Sequence, residues 1–232
     1  DLAMEILKSL LFHKIKTMYA FWACKDVGNF GDMVTPYILE KLGQTVEFSW
    51  MQGIALDGSI LGVVKPNMHV YGAGFMNVTD KCESNNIKYV RGEISKAILK
   101  CQGFDVSNIK THIPAFCIAE FIQDKTPTKN KDYAFHYIDY SDLGIDVRQP
   151  VENVVNQILN SKNIITSSLH AYIVARMYGR GAALVRTKQP IAGDGMKYVD
   201  AFSCWGERSY IPLDIQNDSG IENELKRTYG NP

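Results

Sequence analysis

The chain has 232 residues, 46% hydrophobic and 22% charged, with 25 basic against 25 acidic side chains and a formal net charge of zero. Such a composition belongs to globular rather than disordered proteins, and the length suits one large or two small domains. The balanced charge argues against nucleic acid as a general electrostatic partner but leaves room for a local anion site, such as one for a phosphorylated small molecule.

The N-terminal stretch "DLAMEILKSLLFHKIK" lacks the pattern of a cleaved signal peptide. Leu7, Leu10 and Leu11, flanked by Ile6, suit an amphipathic helix. A docking helix is the plainer reading and peripheral membrane contact the other. "TMYAFWA" (17–23) is strand-like and "GNFGD" (28–32) a loop. "DMVTPYILEKLG" (32–43) is a predicted helix with Asp32 as N-cap, Pro36 near its start and Gly43 as its stop. "QTVEFSW" (44–50) alternates as a strand does. "HVYGAGF" (69–75) is an apolar run ending in glycines. "IKYVRGEISKAILKCQG" (87–103) reads as a short strand and then a helix from about Glu93. "THIPAFCIAEFI" (111–122) begins extended, and "QDKTPTKNKD" (123–132) is the expected linker.

Beyond the linker, "YAFHYID" (133–139) is a predicted strand that carries His136. "VENVVNQILNS" (151–161) is a helix, "NIIT" (163–166) a strand, "SLHAYIVARMYG" (168–179) a helix and "AALVR" (182–186) a strand. "DGMKYVDAFSCWG" (194–206) is a weaker helix, and "SGIENELKRTYG" (219–230) a final one with Ser219 as its cap. Strand–helix alternation on both sides of the linker predicts an α/β protein: two Rossmann-like domains, 1–125 and 126–232, each a parallel sheet flanked by helices. Such sheets bind ligands at the carboxyl ends of their strands, where helix starts offer unpaired N–H groups.

The candidate site residues fall at those places. Gly28 and Gly31 give "DVGNFGD" a backbone that a ligand can approach, and Asn29 and Asp32 can bond a sugar or cap the helix. Gly72 and Gly74 in "YGAGF" admit either a phosphate or a tightly packed neighbour. Arg91 ends a strand and precedes Gly92 and a helix start. It can grip a carboxylate or phosphate with two parallel hydrogen bonds, or pair with a carboxylate of the protein itself. In "ITSSLHA", Ser167 or Ser168 can cap the helix and help to cradle an anion. His170, in its first turn, is either a proton carrier near neutral pH or a core histidine bonded to backbone. His136 is either a satisfied strand histidine or a ligand contact.

The five cysteines, Cys24, Cys82, Cys101, Cys117 and Cys204, share no CxxC spacing, and their number is odd. A reducing cytoplasm fits them better than a disulfide framework or zinc ribbon. No His pair or acidic loop has metal-ligand spacing, so no metal is expected. "SSLH" is not a nucleophile elbow.

"GNFGDMVTPYILEKLG", "YGAGF", "VRGEISKAIL", "FHYID" and "NIITSSLHAYIVARMYGRGAALV" resemble, in this order and over roughly residues 17–205, the polysaccharide pyruvyltransferase family. The N-x-GD-x-x-x-P opening and the SSLH-A-x-I-x-A-x-x-YG block are the specific parts. The resemblance implies a GT-B-like pair of Rossmann-like domains, with the site between them. It implies phosphoenolpyruvate as donor substrate, no further cofactor, and a sugar diol of a polysaccharide or lipid-linked glycan as acceptor. Pyruvate is then installed as a ketal, as in capsule or exopolysaccharide synthesis.

On this pattern Arg91 and His170 are the expected catalytic residues. Arg91, Ser167, Ser168, Leu169, His170, Gly72 and Gly74 hold the donor, and Asn29, Asp32 and His136 the acceptor. The protein is then cytoplasmic, at the inner face of the membrane where its acceptor is lipid-linked. Where the family usually carries a G-D-P-A-type segment, this chain reads "HIPAF" (112–116). The alternatives are a GT-B-like glycosyltransferase using a nucleotide sugar and a glycan-binding member without activity.

Overall fold

The computed structural model describes residues 5, 8, 17–23, 28–139, 144–187, 192–207 and 212–231. Of the expected N-terminal helix, only Glu5 and Lys8 are among them, both helical and exposed. Ile6, Leu7, Leu10 and Leu11 lie outside the described residues.

The chain forms two compact units. The first contains Asp1–Ala23, Val34–Cys117 and Ala192–Tyr210; the second contains Cys24–Met33, Ile118–Ile191 and Ile211–Pro232. The main crossing, at Cys117, falls near the boundary expected at 125. The exchange of residues 24–33 and 192–210 between the units has no counterpart in the sequence reading.

The first unit is built on a six-stranded parallel sheet of β1 (Thr17–Phe21), β2 (Thr45–Phe48), β3 (Gly53–Ala55), β4 (Met68–Tyr71), β5 (Asn86–Val90) and β6 (Lys110–Thr111), in the order β2-β1-β3-β4-β5-β6. The order reverses at β1, so the carboxyl ends of β1 and β3 flank the topological switch point. Helix α1 (Phe30–Lys41) follows β1, and α2 (Glu93–Cys101) follows β5. Phe21, Val70, Phe75, Val90 and Leu99 form the centre of its core. The second unit carries a four-stranded parallel sheet of β7 (Lys129–Ala134), β8 (Ser161–Thr166), β9 (Gly181–Arg186) and β10 (Leu213–Asp214), ordered β10-β9-β8-β7. Helix α3 (Val151–Leu159) joins β7 to β8, and α4 (Leu169–Met177) joins β8 to β9. Helix α5 (Met196–Phe202) belongs to the first unit, and α6 (Asp218–Thr228) packs on β9 and β8. Every strand pairing among the described residues is parallel. No helix among the described residues is long and apolar enough to cross a membrane.

Several local expectations change. Helix α1 begins at Phe30, so Asp32 sits inside its first turn rather than capping it. β3 is only three residues long, too short to leave a periodic signal. The last four residues of the expected linker, Lys129–Asp132, are the start of β7, whose edge position tolerates charged side chains. β7 stops at Ala134, so His136 lies beyond the strand, just before the turn of 3-10 helix Tyr137–Asp139. Asn217, not Ser219, caps α6 by accepting the Gly220 N–H at 3.0 Å.

Candidate functional site

The described side chains with the most suitable chemistry gather in the second unit at the carboxyl ends of β7, β8 and β9. Ala134, Thr166 and Leu184 are adjacent in register, so the residues just beyond them share one sheet edge. Buried Thr166 fixes the strand-to-helix joint. Its hydroxyl donates to Ala134 O and accepts the Ser168 N–H at 2.9 Å. Ser168 is the N-cap of α4, and its Oγ accepts from Ala171 N at 3.4 Å. Ser167 Oγ accepts the His136 N–H at 2.9 Å and donates to Asp139 Oδ2 at 2.6 Å. Thr187, just past β9, donates to the other oxygen of Asp139. One carboxylate therefore ties three strand ends together. Sequence marks Asp139 only as the end of the FHYID strand and Thr187 not at all; the only available signal is their place just after strands.

Residues 28–33 add the second half of the site. Phe30 N–H donates to Val147 O at 2.8 Å, which docks this segment in the second unit. The left-handed Gly28 (φ 71°) turns the chain into α1. Asn29 and Asp32 are buried and joined by an Asn29 Nδ2–Asp32 Oδ2 hydrogen bond of 2.8 Å. Asn29 Oδ1 is buried and has no hydrogen-bond partner among the described residues. A buried amide oxygen in that state is costly, and a bound hydroxyl or water would relieve it. Gly31 lies against His170. A Cβ on Gly31 would come within 2.6 Å of His170 Cγ, so only glycine lets the start of α1 meet the imidazole.

Two helix starts, α1 and α4, thus converge on one half-buried histidine. Each start has N–H groups without intrahelical partners, and each dipole favours negative charge. The arrangement can hold an anion beside a proton carrier, with Asp32 and Asp139 available to accept hydroxyl hydrogens. Leu169 is buried and packs rather than presenting a polar group.

Arg91, Gly72 and Gly74 are placed differently. Arg91 is in the first unit and only 1% exposed. Its Nε donates to Asp200 Oδ2 at 2.9 Å, Nη1 to Ser59 Oγ at 2.6 Å and Nη2 to Phe75 O at 2.7 Å. Asp200 also accepts from Ser95 N at 2.8 Å and Ser95 Oγ at 2.7 Å. The guanidinium is spent inside the fold, so it is not presented as the open clamp expected from sequence. Gly74 exists for this network, since a Cβ there would lie 2.5 Å from Arg91 Cζ. Gly72, with φ 141°, accommodates Pro114. Both glycines of "YGAGF" thus serve packing, the second of the two readings open to them.

At the switch point of the first unit, Asp57 follows β3. Its N–H donates to Thr35 Oγ1 at 3.1 Å, and its Oδ1 accepts from Gly58 N at 2.7 Å. His112 is buried just after β6. Burial pushes its pKa down to about 4 against the raising effect of the Asp57 charge. Cys117 Sγ is 4.0 Å from His112 Nε2. Among the described residues no group of three or more His, Cys, Asp or Glu side chains could hold a metal ion.

No protein-family model matches the chain. It is 28% identical over 233 aligned positions to the uncharacterized protein L143 of Acanthamoeba polyphaga mimivirus, covering 85% of this chain and 77% of that one. The crystal structure of the functionally uncharacterized protein KP1_0663 from Klebsiella pneumoniae aligns with a TM-score of 0.49 at 14% identity, over 86% of this chain and 91% of that chain.

Proposed function

We propose that the protein transfers a pyruvyl group from phosphoenolpyruvate to two hydroxyls of a sugar, forming a pyruvate ketal. The observation that supports this reading is the Gly31–His170 contact. It joins the two most specific blocks of the resemblance, N-x-GD and SSLH, which are far apart in sequence. In this reading the two units act as a GT-B-like pair in the cytoplasm, and the acceptor is a polysaccharide precursor.

The chemistry assigns roles by type. Phosphoenolpyruvate is an anion, which the starts of α1 and α4 are suited to receive. His170 gives a proton to its methylene carbon, and C2 becomes oxocarbenium-like. A sugar hydroxyl adds to C2 and returns its proton to the imidazole. The C2–O bond to phosphate breaks, the second hydroxyl adds to C2, and its proton leaves with the phosphate. Asn29, Asp32 and Asp139 are the acceptor's hydrogen-bond partners. Ser167 and Ser168 keep the α4 start in place, and Arg91 holds the first unit's fold without touching the reactants. A positioned proton carrier contributes roughly 10²–10⁴-fold in rate.

The test is phosphate release from phosphoenolpyruvate with a panel of sugar-nucleotide and lipid-linked acceptors, alongside thermal shifts with phosphoenolpyruvate and with nucleotide sugars. Donor-dependent stabilisation and phosphate release matched by ketal formation are expected, with turnover lost in His170→Ala and donor binding kept. Stabilisation by a nucleotide sugar alone would assign the protein to glycosyl transfer. Unchanged turnover in His170→Ala would remove the histidine from the mechanism.

A further inference from the structure

The second unit has a groove of about 540 Å³ whose lining includes Lys131, Tyr133, Phe135, Ile165, Asp218 and Glu222. Its origin is geometric. Odd-numbered residues of β8 and β9 face α6, as the cluster of Ile165, Ala183, Val185, Ile221 and Leu225 shows. A helix about 10 Å wide covers about two strands spaced roughly 4.8 Å apart. Helix α6 packs on β9 and β8, which leaves the same face of edge strand β7 uncovered. The alternation of β7 puts Lys131 and Tyr133 on that face, with Phe135 next in line, and Tyr133 pairs in register with Ile165.

Three features of the groove select one kind of occupant. Tyr133 and Phe135 stack, with centroids 5.7 Å apart and planes 30° apart, giving an aromatic wall. Among the described residues the polar rim holds one cation and two carboxylates, and Lys131 is 3.5 Å from Glu222. That balance disfavours an anion such as phosphoenolpyruvate or a nucleotide. It suits a neutral polyol, whose hydroxyls donate to Asp218 and Glu222 while the apolar face of its ring lies on the aromatics. The volume lies in the range of small-ligand sites, with room for a short oligosaccharide. Phe135 and Ile165 are also the chain neighbours of His136 and Thr166, so the groove ends at the edge where the candidate site begins.

We propose that this groove binds an uncharged stretch of glycan and holds the body of the acceptor chain. As an acceptor site it rests on the pyruvyltransferase reading; as a glycan site it does not. Maltotriose, mannotriose, galactotriose and chitotriose are titrated separately and followed by saturation-transfer NMR and thermal shift. At least one should bind saturably. Tyr133→Ala should weaken it about tenfold or more, as loss of a buried aromatic anchor does. Glu222→Gln, on an exposed side chain with no core role, should weaken it severalfold without changing stability. Phosphoenolpyruvate affinity should be the same in both variants.

Binding by none of the four trioses, or equal binding by the wild type and both variants, overturns the proposal. So does a dimer that Tyr133→Ala dissolves, since a second copy would then be the occupant. If triose binding holds but no phosphate is released from phosphoenolpyruvate, pyruvyl transfer fails and the glycan site stands.

Discussion

Replacing Arg91 with alanine separates two roles that the sequence leaves open. The side chain is 1% exposed and Asp200 is fully buried. The substitution removes the 2.9 Å ion pair and the bonds to Ser59 and Phe75 O. The Asp200 carboxylate is left in the interior with only the N–H and hydroxyl of Ser95. Removing one partner of a buried pair costs about 3–5 kcal/mol, because the other charge stays desolvated. That is a large part of a typical domain's 5–15 kcal/mol or so. At roughly 2–4 °C per kcal/mol for a chain of this size, the melting point should fall by about 6–20 °C. Asp200→Ala should cost a similar amount. The double variant should cost clearly less than the sum, because each single change already breaks the shared pair. Urea unfolding of the four proteins measures this. An Arg91→Ala protein with the wild-type midpoint and no affinity for phosphoenolpyruvate would refute the reasoning and restore the arginine as a ligand clamp.

Gly31→Ala should displace the imidazole and lower turnover, and His170→Gln should lower turnover with little change in stability, as read by steady-state rates and urea midpoints on both variants. His112 takes up its proton at about 4 in the fold against 6.5 ordinarily, so between those values the unfolded chain holds more protons. The contribution linked to His112 is therefore fully present above about 6.5 and is lost, by on the order of 3 kcal/mol, as the pH falls toward 4. His112→Gln should flatten that slope in urea titrations at pH 7, 6 and 5, and an unchanged slope would rule the histidine out. Burial pushes the Cys82 thiol up to about 11, whereas Cys101 and Cys204 are exposed. Iodoacetamide at pH 8 should label Cys101 and Cys204 in the native state and reach Cys82 only in urea, as peptide mass mapping would show.

What the sequence made legible is what short-range physics writes. The joint at Thr166–Leu169 was readable because an apolar β-branched run, a hydroxyl cap and a helical period follow one another within a few residues. Glu93 as the start of α2 was readable from an apolar strand, a glycine and an acidic first turn in succession, without a hydroxyl cap. What stayed hidden depends on distant partners. Nothing near Arg91 announces Asp200, more than a hundred residues away. The glycines of "YGAGF" look the same whether a phosphate or Pro114 and Arg91 fills the space they leave. The misplacement of His136 came from reading the apolar pattern through Phe135, where strand pairing had already ended at Ala134. Gly31 was noted for backbone freedom, but its function is a close approach to a side chain from the other half of the sequence.

The exchange of segments between the two units bears on how the protein can be dissected. A cut at the 123–128 stretch looks natural, yet it would leave Arg91 on one piece and Asp200 on the other, and would part Gly31 from His170 in the same stroke. Neither fragment would own a complete interior. Mixed together, however, the pieces should rebuild both contacts at once, which makes this junction a natural place to divide the protein into two halves that complete each other only on reassembly.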